Sequence, residues 1–313
     1  MGLKLKGRHF LSMLDFSADE IEAVLQTAAK LKSKGPRPEK TPLLGKTLAM
    51  IFQKPSLRTR VSFETGMTRM GGHAIYLAPT DISLGKRETT EDIAMVLSRY
   101  VDIIMARVFG HDIVVDLAKH AGVPVINGLS DYEHPCQILA DFQTIIERRG
   151  QLKGMKACYV GDGNNVAHSL MLGAARMGMH MTVICPRGYE PKPDVTAQST
   201  TVGRETGSKI TVTDDLAAVD AADVMYTDVW ASMGQEAEAD ARRKIFKRYA
   251  INAETIKPAK RDVTILHCLP AHYGDEIDYT TSRLPHSAIF DQAENRMHAQ
   301  NALMLHLLGA LGS

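Results

Sequence analysis

Short apolar segments alternate with helical patterns along most of this chain. Thr47–Phe52 and Ile103–Ala106 are apolar runs without polar alternation, and Thr90–Tyr100 between them reads as a helix. Such runs are typical of parallel strands whose two faces are both covered. Strands that alternate with helices form doubly wound parallel sheets. The sequence therefore predicts the α/β fold class.

The same alternation resumes after the helical segment Pro135–Arg149. Its predicted strands are Lys156–Val160, Met181–Cys185, Lys209–Val212, Val224–Thr227 and Val263–Leu266. At 313 residues the chain is long for one hydrophobic core, because a domain usually holds about 100–200 residues. We predict two doubly wound domains, residues 1–148 and 149–294, joined by that helix. Residues 295–313 are expected to form a C-terminal helix that packs back on the first domain.

The composition argues against several classes of partner. The 37 Lys and Arg residues nearly balance the 36 Asp and Glu residues, so no overall field attracts nucleic acid or an anionic membrane. No apolar stretch approaches the roughly 20 residues of a membrane span, and the N-terminus lacks the apolar core of a signal peptide. The cysteines form no CxxC pair, which is typical of free thiols in a reducing compartment: Cys136, Cys158, Cys185 and Cys268. We expect a cytoplasmic protein without nucleic-acid or membrane partners.

The strongest motif, Lys54–Arg60, follows the first predicted strand. It lies at the start of the predicted helix Val61–Met70, where unpaired backbone N–H groups and the helix dipole favour anions. Ser56 and Thr59 add hydroxyl donors, and Arg58 adds a planar guanidinium that matches phosphate oxygens. The alternative is a solvated basic helix start with Ser56 as an ordinary N-cap. We interpret the segment as an anion site.

A second motif places His134 and Gln137 three residues apart at a helix start, so both side chains can face one ligand. A neutral histidine can donate a hydrogen bond to a carbonyl oxygen that gains charge during acyl transfer. The alternative is a cap or a packing residue.

A glycine-containing loop, Gly161–Asn165, follows the strand that begins the second series. It resembles a dinucleotide-binding loop, but Val166 stands where the third glycine is required. The next strand leads into Pro186 and Arg187 instead of an acidic residue. A nicotinamide site is therefore disfavoured, whereas Asn165 is a candidate ligand contact.

Two further loops follow strands. Asp228–Gly234 contains a carboxylate, a hydroxyl group and a glycine that could hold an amino acid, although Asp228 could also be a simple helix cap. Leu266–His272 contains His and Cys, but no second pair at zinc-ligand spacing accompanies it. The charge run Asp240–Arg248 is most simply a solvated helix face.

Together these segments resemble the aspartate/ornithine carbamoyltransferase family, in order from the first helix to the last. Ser56–Arg60 with His134–Gln137 marks the family, and Asp228 with Ser232–Gly234 and His267–Pro270 marks its ornithine branch. The resemblance implies transfer of a carbamoyl group from carbamoyl phosphate to the δ-amine of L-ornithine, giving L-citrulline and phosphate in arginine metabolism. It also implies a homotrimer or a multiple of trimers, with no cofactor and no metal.

The resemblance also assigns roles to individual residues. It implies that carbamoyl phosphate is held by Ser56, Leu57, Arg58, Thr59, Ser83, Arg107, His134, Gln137, Cys268, Leu269 and Arg296. Ornithine would be held by Asn165, Asp228, Ser232 and Met233. The residues expected to act in catalysis are Arg107, His134, Thr59, Asp228 and Cys268. Of these, Thr59, Arg107 and His134 would stabilise a charged tetrahedral intermediate, while Cys268 would position the amine.

Two positions depart from the common family pattern. Leu57 replaces a threonine, so its backbone N–H is the group expected to contact phosphate. Ser83 stands where Gln or His is common, in a loop that reaches a neighbouring subunit's site in the family. Lys86 could substitute for it there.

Other acceptors and other classes remain as alternatives. Aspartate would need basic residues for its second carboxylate, and Asp228 disfavours acetylornithine and putrescine because it suits a free α-amine. A non-catalytic binding module would be expected to lack Arg107, His134 or Asp228, and all three are present.

Overall fold

The computed structural model describes residues 4–35, 40–82, 88–231 and 236–311. The chain forms two compact units, residues 1–143 with 294–313 and residues 144–293. Among the described residues, no helix combines the length and the apolar character that crossing a membrane requires.

The first unit is built on a parallel sheet. Its strands are β1 (Thr47–Phe52), β2 (His73–Leu77), β3 (Ile103–Arg107) and β4 (Val125–Leu129). They lie in the order β2-β1-β3-β4. Every residue of β4 is buried, as are all of β1 and β3 except Thr47 and Arg107, whereas the edge strand β2 is partly exposed. The continuous apolar runs in the sequence thus correspond to strands covered on both faces.

Helices flank this sheet. They are α1 (Ala18–Ser33), α2 (Leu57–Arg69), α3 (Pro79–Ile82), α4 (Thr90–Tyr100), α5 (His111–His120) and α6 (Pro135–Arg149). Ser17 and Glu20 form a capping box at the start of α1. Helix α2 begins at Leu57, earlier than the predicted Val61, because its first turn has no apolar periodicity to reveal it. Leu57–Arg60 of the anion motif therefore form the first turn of α2, and Ser56 is its N-cap.

The second unit repeats the plan with a larger parallel sheet. Its strands are β5 (Lys156–Val160), β6 (His180–Ile184), β7 (Ile210–Thr213), β8 (Val224–Thr227) and β9 (Thr264–His267). They lie in the order β7-β6-β5-β8-β9. The predicted fold class, with two parallel α/β sheets, is confirmed.

The helices of the second unit follow its strands. They are α7 (Asn165–Met177), α8 (Pro193–Thr206), α9 (Ala239–Phe246) and α10 (Ala253–Ile256). The last helix, α11 (Ile289–Leu308), begins before the predicted Asn295, and its residues from Glu294 onward belong to the first unit. The junction between residues 143 and 144 lies within α6, as does the predicted boundary after residue 148.

Both sheets contain a point at which the strand order reverses. Strand β1 lies between β2 and β3, and β5 lies between β6 and β8. Ligands of open parallel sheets bind at such points, beyond the carboxyl ends of the strands. In the first sheet Phe52 of β1 is opposite Arg107 of β3. The anion motif and Arg107 therefore emerge from neighbouring strands at the same edge.

Candidate active site

The start of helix α2 has the features of an anion seat. Its N-cap Ser56 makes no side-chain bond to the helix backbone, and its Oγ instead donates to Thr59 Oγ1 at 3.2 Å. Thr59 is buried, whereas Leu57 is 74% exposed. The amides of this first turn are available to an anion because intrahelical bonding starts only later in a helix.

Arginine side chains from two other elements converge on the same threonine. Arg107 at the end of β3 donates from Nη1 to Thr59 Oγ1 at 3.5 Å, and Arg296 of α11 donates from Nη2 to the same oxygen at 3.5 Å. Arg296 is buried. Two planar guanidinium groups thus flank the start of α2, an arrangement suited to the oxygens of a phosphate.

His134 lies beside these cations and is 5% exposed. Its Nε2 is 3.5 Å from Nη1 of Arg296. Burial holds the pKa of His134 well below its usual range, and the charges of Arg296, Arg107 and Arg58 lower it further. The ring is therefore neutral at pH 7, and its single N–H can donate to a carbonyl oxygen.

Gln137 has its amide orientation determined by charged partners. Its Oε1 accepts from Arg296 Nη1 at 2.7 Å, and its Nε2 donates to Asp141 Oδ1 at 2.8 Å. A guanidinium can only donate and a carboxylate can only accept, so the amide oxygen must face Arg296. Asp141 was not predicted from the sequence, although its position one helical turn after Gln137 could have indicated it.

In the second unit Asp228 follows β8 and is held by neutral donors. Asn164 Nδ2 donates to Oδ2 of Asp228 at 2.9 Å, and Cys268 Sγ donates to Oδ1 at 3.0 Å. Asp228 and Asn164 are both buried. Thus a carboxylate lies at the carboxyl end of the central strands, where it can receive a cationic group.

Asn164, which was not predicted from the sequence, connects Asp228 to the start of helix α7. Its Oδ1 accepts from the backbone N–H groups of Val166 and Ala167 at 3.0 and 3.2 Å and so caps helix α7. With Oδ1 used by the cap, Nδ2 is the atom left for Asp228. The predicted contact residue, Asn165, is half-buried at the first position of α7, and its role towards ornithine stays a prediction.

The loop after β9 is held by a buried pair. His267 Nδ1 accepts from the N–H of Leu269 at 2.8 Å, so its proton is on Nε2, which lies 3.0 Å from Oε1 of Glu276. Leu269 has φ +59°, a left-handed conformation that a leucine rarely adopts. The His267–Glu276 pair, also missed in the sequence, therefore stabilises the backbone next to Cys268.

In the part of the chain that the structure describes, Asp228, His267 and Cys268 have potential metal-ligand atoms within 4.8 Å of one another. Both ring nitrogens of His267 are engaged by Leu269 and Glu276. The ring could bind a metal only by giving up one of these bonds.

Arg242 corrects the interpretation of the charge run as a solvated face. It lies on α9 but is 7% exposed, and its Nη1 is 3.2 Å from Oδ2 of Asp162. By contrast, its neighbour Arg243 has a side chain that is 52% exposed. The charge run therefore contains one buried cation within an otherwise solvated pattern, which sequence periodicity over so short a helix does not reveal.

Five of the residues singled out in the sequence lie outside the described ranges. They are Ser83, Lys86, Ser232, Met233 and Gly234. Their expected roles stay predictions.

Comparison with known proteins identifies the family. The model of the aspartate/ornithine carbamoyltransferase carbamoyl-P binding domain matches residues 8–147, and the model of the Asp/Orn binding domain matches residues 153–307. The chain belongs to the aspartate/ornithine carbamoyltransferase family. The resemblance read from the motifs is confirmed.

Individual relatives of this family match over nearly their full length. Ornithine carbamoyltransferase of Thermococcus kodakarensis is 53% identical over 314 residues, which is 99% of this chain and 99% of the relative. The enzyme of that name from Anoxybacillus flavithermus is 53% identical over 308 residues, 98% of each chain. Among solved structures, ornithine carbamoyltransferase from Pyrococcus furiosus has a TM-score of 0.95 at 52% identity and covers 98% of this chain and 99% of its own.

Proposed function

We propose that this chain is a carbamoyltransferase that moves the carbamoyl group of carbamoyl phosphate to the δ-amine of L-ornithine, giving L-citrulline and phosphate. The observation that carries the proposal is the convergence of Arg107 and Arg296 on Thr59 beside a neutral His134. The full-length relatives named ornithine carbamoyltransferase support the same reaction.

Carbamoyl phosphate fits the first unit. The backbone amides of the first turn of α2, with Ser56, Arg58 and Thr59, would hold the phosphate, and Arg107 would bridge it to the carbonyl oxygen. The neutral ring of His134 would donate to that oxygen. Gln137 presents its amide oxygen towards Arg296 and would accept from the carbamoyl NH₂. Contacts of Cys268 and Leu269 with carbamoyl phosphate belong to the same proposal.

Ornithine fits the second unit. Asp228 is a carboxylate suited to the α-ammonium group, and Ser232 and Met233 are proposed to add contacts at that end. Asn165 is the proposed contact for the α-carboxylate. Cys268 donates to Asp228 and would help to position the incoming amine.

The reaction needs orientation and charge stabilisation because carbamoyl phosphate is already activated. The lone pair of the neutral δ-amine attacks the carbamoyl carbon, and a tetrahedral intermediate forms with negative charge on the former carbonyl oxygen. The carbonyl double bond then re-forms as the bond from carbon to the phosphate oxygen breaks, phosphate departs with that electron pair, and the proton of the attacking amine passes to the departing phosphate. Thr59, Arg107 and His134 would stabilise the charge that develops.

Assembly, location and metabolic role belong to the same proposal. The family resemblance supports a homotrimer, or a multiple of trimers, in which the loop of Ser83 reaches a neighbouring site. Cytoplasmic location is proposed as well. A relative from Pyrococcus furiosus carries the name anabolic ornithine carbamoyltransferase, which supports a role in arginine biosynthesis.

An acceptor panel tests the proposal. Purified protein is incubated with carbamoyl phosphate and one of L-ornithine, acetylornithine, putrescine or L-aspartate, and each carbamoylated product is quantified. We expect citrulline from ornithine and much slower turnover of the other acceptors. Product from another acceptor alone would refute the assignment of ornithine, and no product from any acceptor would refute the transferase itself.

A further inference from the structure

Arg242 is a buried cation that the proposed reaction does not use. Its Nη1 donates to the carbonyl oxygen of Trp230 at 2.9 Å and lies 3.2 Å from Oδ2 of Asp162, while its Nε donates to Glu238 Oε2 at 2.9 Å. The guanidinium also packs over the ring of Tyr189, with 5.0 Å between its carbon and the ring centroid. These partners come from separate segments, so the side chain is held in one place.

Two partners of Arg242 lie close in sequence to Asp228 and to its hydrogen-bond partner Asn164. Trp230 follows Asp228 by two positions, and Asp162 precedes Asn164 by two positions. Asn164 Nδ2 in turn donates to Asp228 Oδ2 at 2.9 Å. Arg242 therefore closes a ring of contacts that joins the loop after β8 to the loop after β5.

Burial makes this ring sensitive to the loss of its cation. Asp162 is buried, and burial raises the pKa of its carboxyl to about 6 even though Arg242 opposes the shift. A buried carboxylate that loses its partner is strongly destabilised and must protonate or move towards solvent. Either response alters the loop that carries Asn164.

Packing leaves that loop little room to adjust in any other direction. The N–H of Gly163 donates to the carbonyl oxygen of Tyr189 at 2.9 Å, and a Cβ at Gly163 would lie 2.2 Å from the backbone nitrogen of Pro191. Arg242, above Tyr189 and against Asp162, thus forms one wall of a tightly packed turn.

We propose that Arg242 is a positioning residue for the amino-acid acceptor, acting through Trp230 and Asp162 to hold Asp228 and Asn164 in place. The inference rests on the proposed function, since it assumes that Asp228 receives the α-ammonium group of ornithine. It implies that Arg242 governs the KM for ornithine and leaves the binding of carbamoyl phosphate nearly unchanged, because the arginines and His134 of the phosphate site lie in the other unit.

The test compares Arg242→Gln with Arg243→Gln. The two substitutions are identical and adjacent on α9, but Arg243 pairs with Asp240 and Asp275 at an exposed position. We expect Arg242→Gln to raise the KM for ornithine by about 10- to 100-fold, the effect of a small displacement of a binding group. We expect Arg243→Gln to match the unsubstituted protein. The dissociation constant of carbamoyl phosphate, measured by calorimetry, should stay within about twofold in both variants.

Two more variants keep the test decisive. Arg242→Lys retains the charge but not the planar fork, and it should restore part of the ornithine KM. Asp162→Asn removes the carboxylate without changing its shape and should raise the ornithine KM in the same direction, so it replaces Arg242→Gln if that variant fails to fold. Equal KM values of Arg242→Gln and Arg243→Gln for ornithine would overturn this inference but not the proposed function. The same would follow if Arg242→Gln lost affinity for both substrates in parallel. If the unsubstituted protein formed no citrulline, the proposed function would fall and the inference with it.

Discussion

The two candidate clusters carry charges of opposite sign. In the first unit, the guanidinium groups of Arg107 and Arg296 converge on neutral side chains, Thr59 and His134. In the second, one carboxylate, Asp228, is held by the neutral donors Asn164 and Cys268. Each cluster has the sign opposite to the substrate group proposed for it, a phosphate in one and an ammonium group in the other.

The two units also differ in how neighbouring charges affect the pKa of a buried group. Burial favours the uncharged form of His134 and of Asp162 alike. Around His134 the neighbouring arginines add to that effect, whereas Arg242 opposes it at Asp162. The neighbouring arginines therefore favour the neutral form of His134, whereas Arg242 favours the charged form of Asp162.

The largest expected effect comes from removing a cation of the first cluster. Arg107→Ala should lower kcat by about 100- to 1000-fold, equivalent to about 3–4 kcal/mol of barrier, because the developing oxyanion loses a donor. The thermal midpoint should change little. Arg60→Ala is the matched control, since Arg60 belongs to the same motif but pairs with Glu64 at the surface. Steady-state kinetics of citrulline formation measure both, and wild-type-like turnover in Arg107→Ala would contradict the proposed role.

The second cluster should respond in its affinity for the acceptor. Asp228→Asn keeps the shape but removes the charge that faces an ammonium group. We expect the KM for ornithine to rise by about 10- to 100-fold, the range for losing a charged hydrogen-bond partner at about 1.5–3 kcal/mol. Carbamoyl phosphate binding should not change. The exposed Asp240→Asn serves as control. A fall in carbamoyl phosphate affinity in Asp228→Asn would contradict a role of Asp228 in acceptor binding alone.

Asp162 should give the second unit a characteristic dependence of stability on pH. Its folded pKa of about 6 lies above its ordinary value of 3.8, so between these values the native state binds more protons than the unfolded state. Its contribution is therefore favourable at low pH and is lost as pH rises from about 4 to 6. Urea unfolding of the natural chain and of Asp162→Asn at each pH should show a difference that shifts by roughly 1–2 kcal/mol over this window. A pH-independent difference would mean that Asp162 keeps an ordinary pKa.

The smallest effect is expected at Leu57 in the first cluster. Its side chain is 74% exposed, and the proposed contact comes from its backbone N–H. Leu57→Thr should therefore alter the KM for carbamoyl phosphate by less than about threefold, as for most exposed substitutions within about 0.5 kcal/mol. Calorimetric titration with carbamoyl phosphate checks this. A much larger gain in affinity would show that the side chain at this position takes part in binding.

Sequence patterns located the strands well because the central strands bury both faces. Thr47–Phe52, Lys156–Val160 and Val224–Thr227 have the predicted bounds. The start of helix α2 was predicted too late, at Val61 instead of Leu57, because its first turn is polar and has no apolar periodicity. The motif that matters most chemically thus lay where periodicity is weakest.

The candidate sites were only partly visible in the sequence. Arg296 was linked to the phosphate motif by family resemblance, since contacts between distant segments have no local signature. Asp141, Asn164 and Glu276 were missed because each acts on another side chain and not on a ligand. Arg242 was misread because burial of one arginine in a charged helix is decided by the neighbouring loops.

The low basicity of His134 has a consequence for how the donor substrate is received. Burial is the main cause of its lowered pKa, and the charges of Arg296, Arg107 and Arg58 add to it. A phosphate dianion would offset those charges, whereas burial would persist in the occupied site. The imidazole would therefore stay neutral before and after carbamoyl phosphate binds, so that a hydrogen bond to its carbonyl oxygen requires no change of protonation.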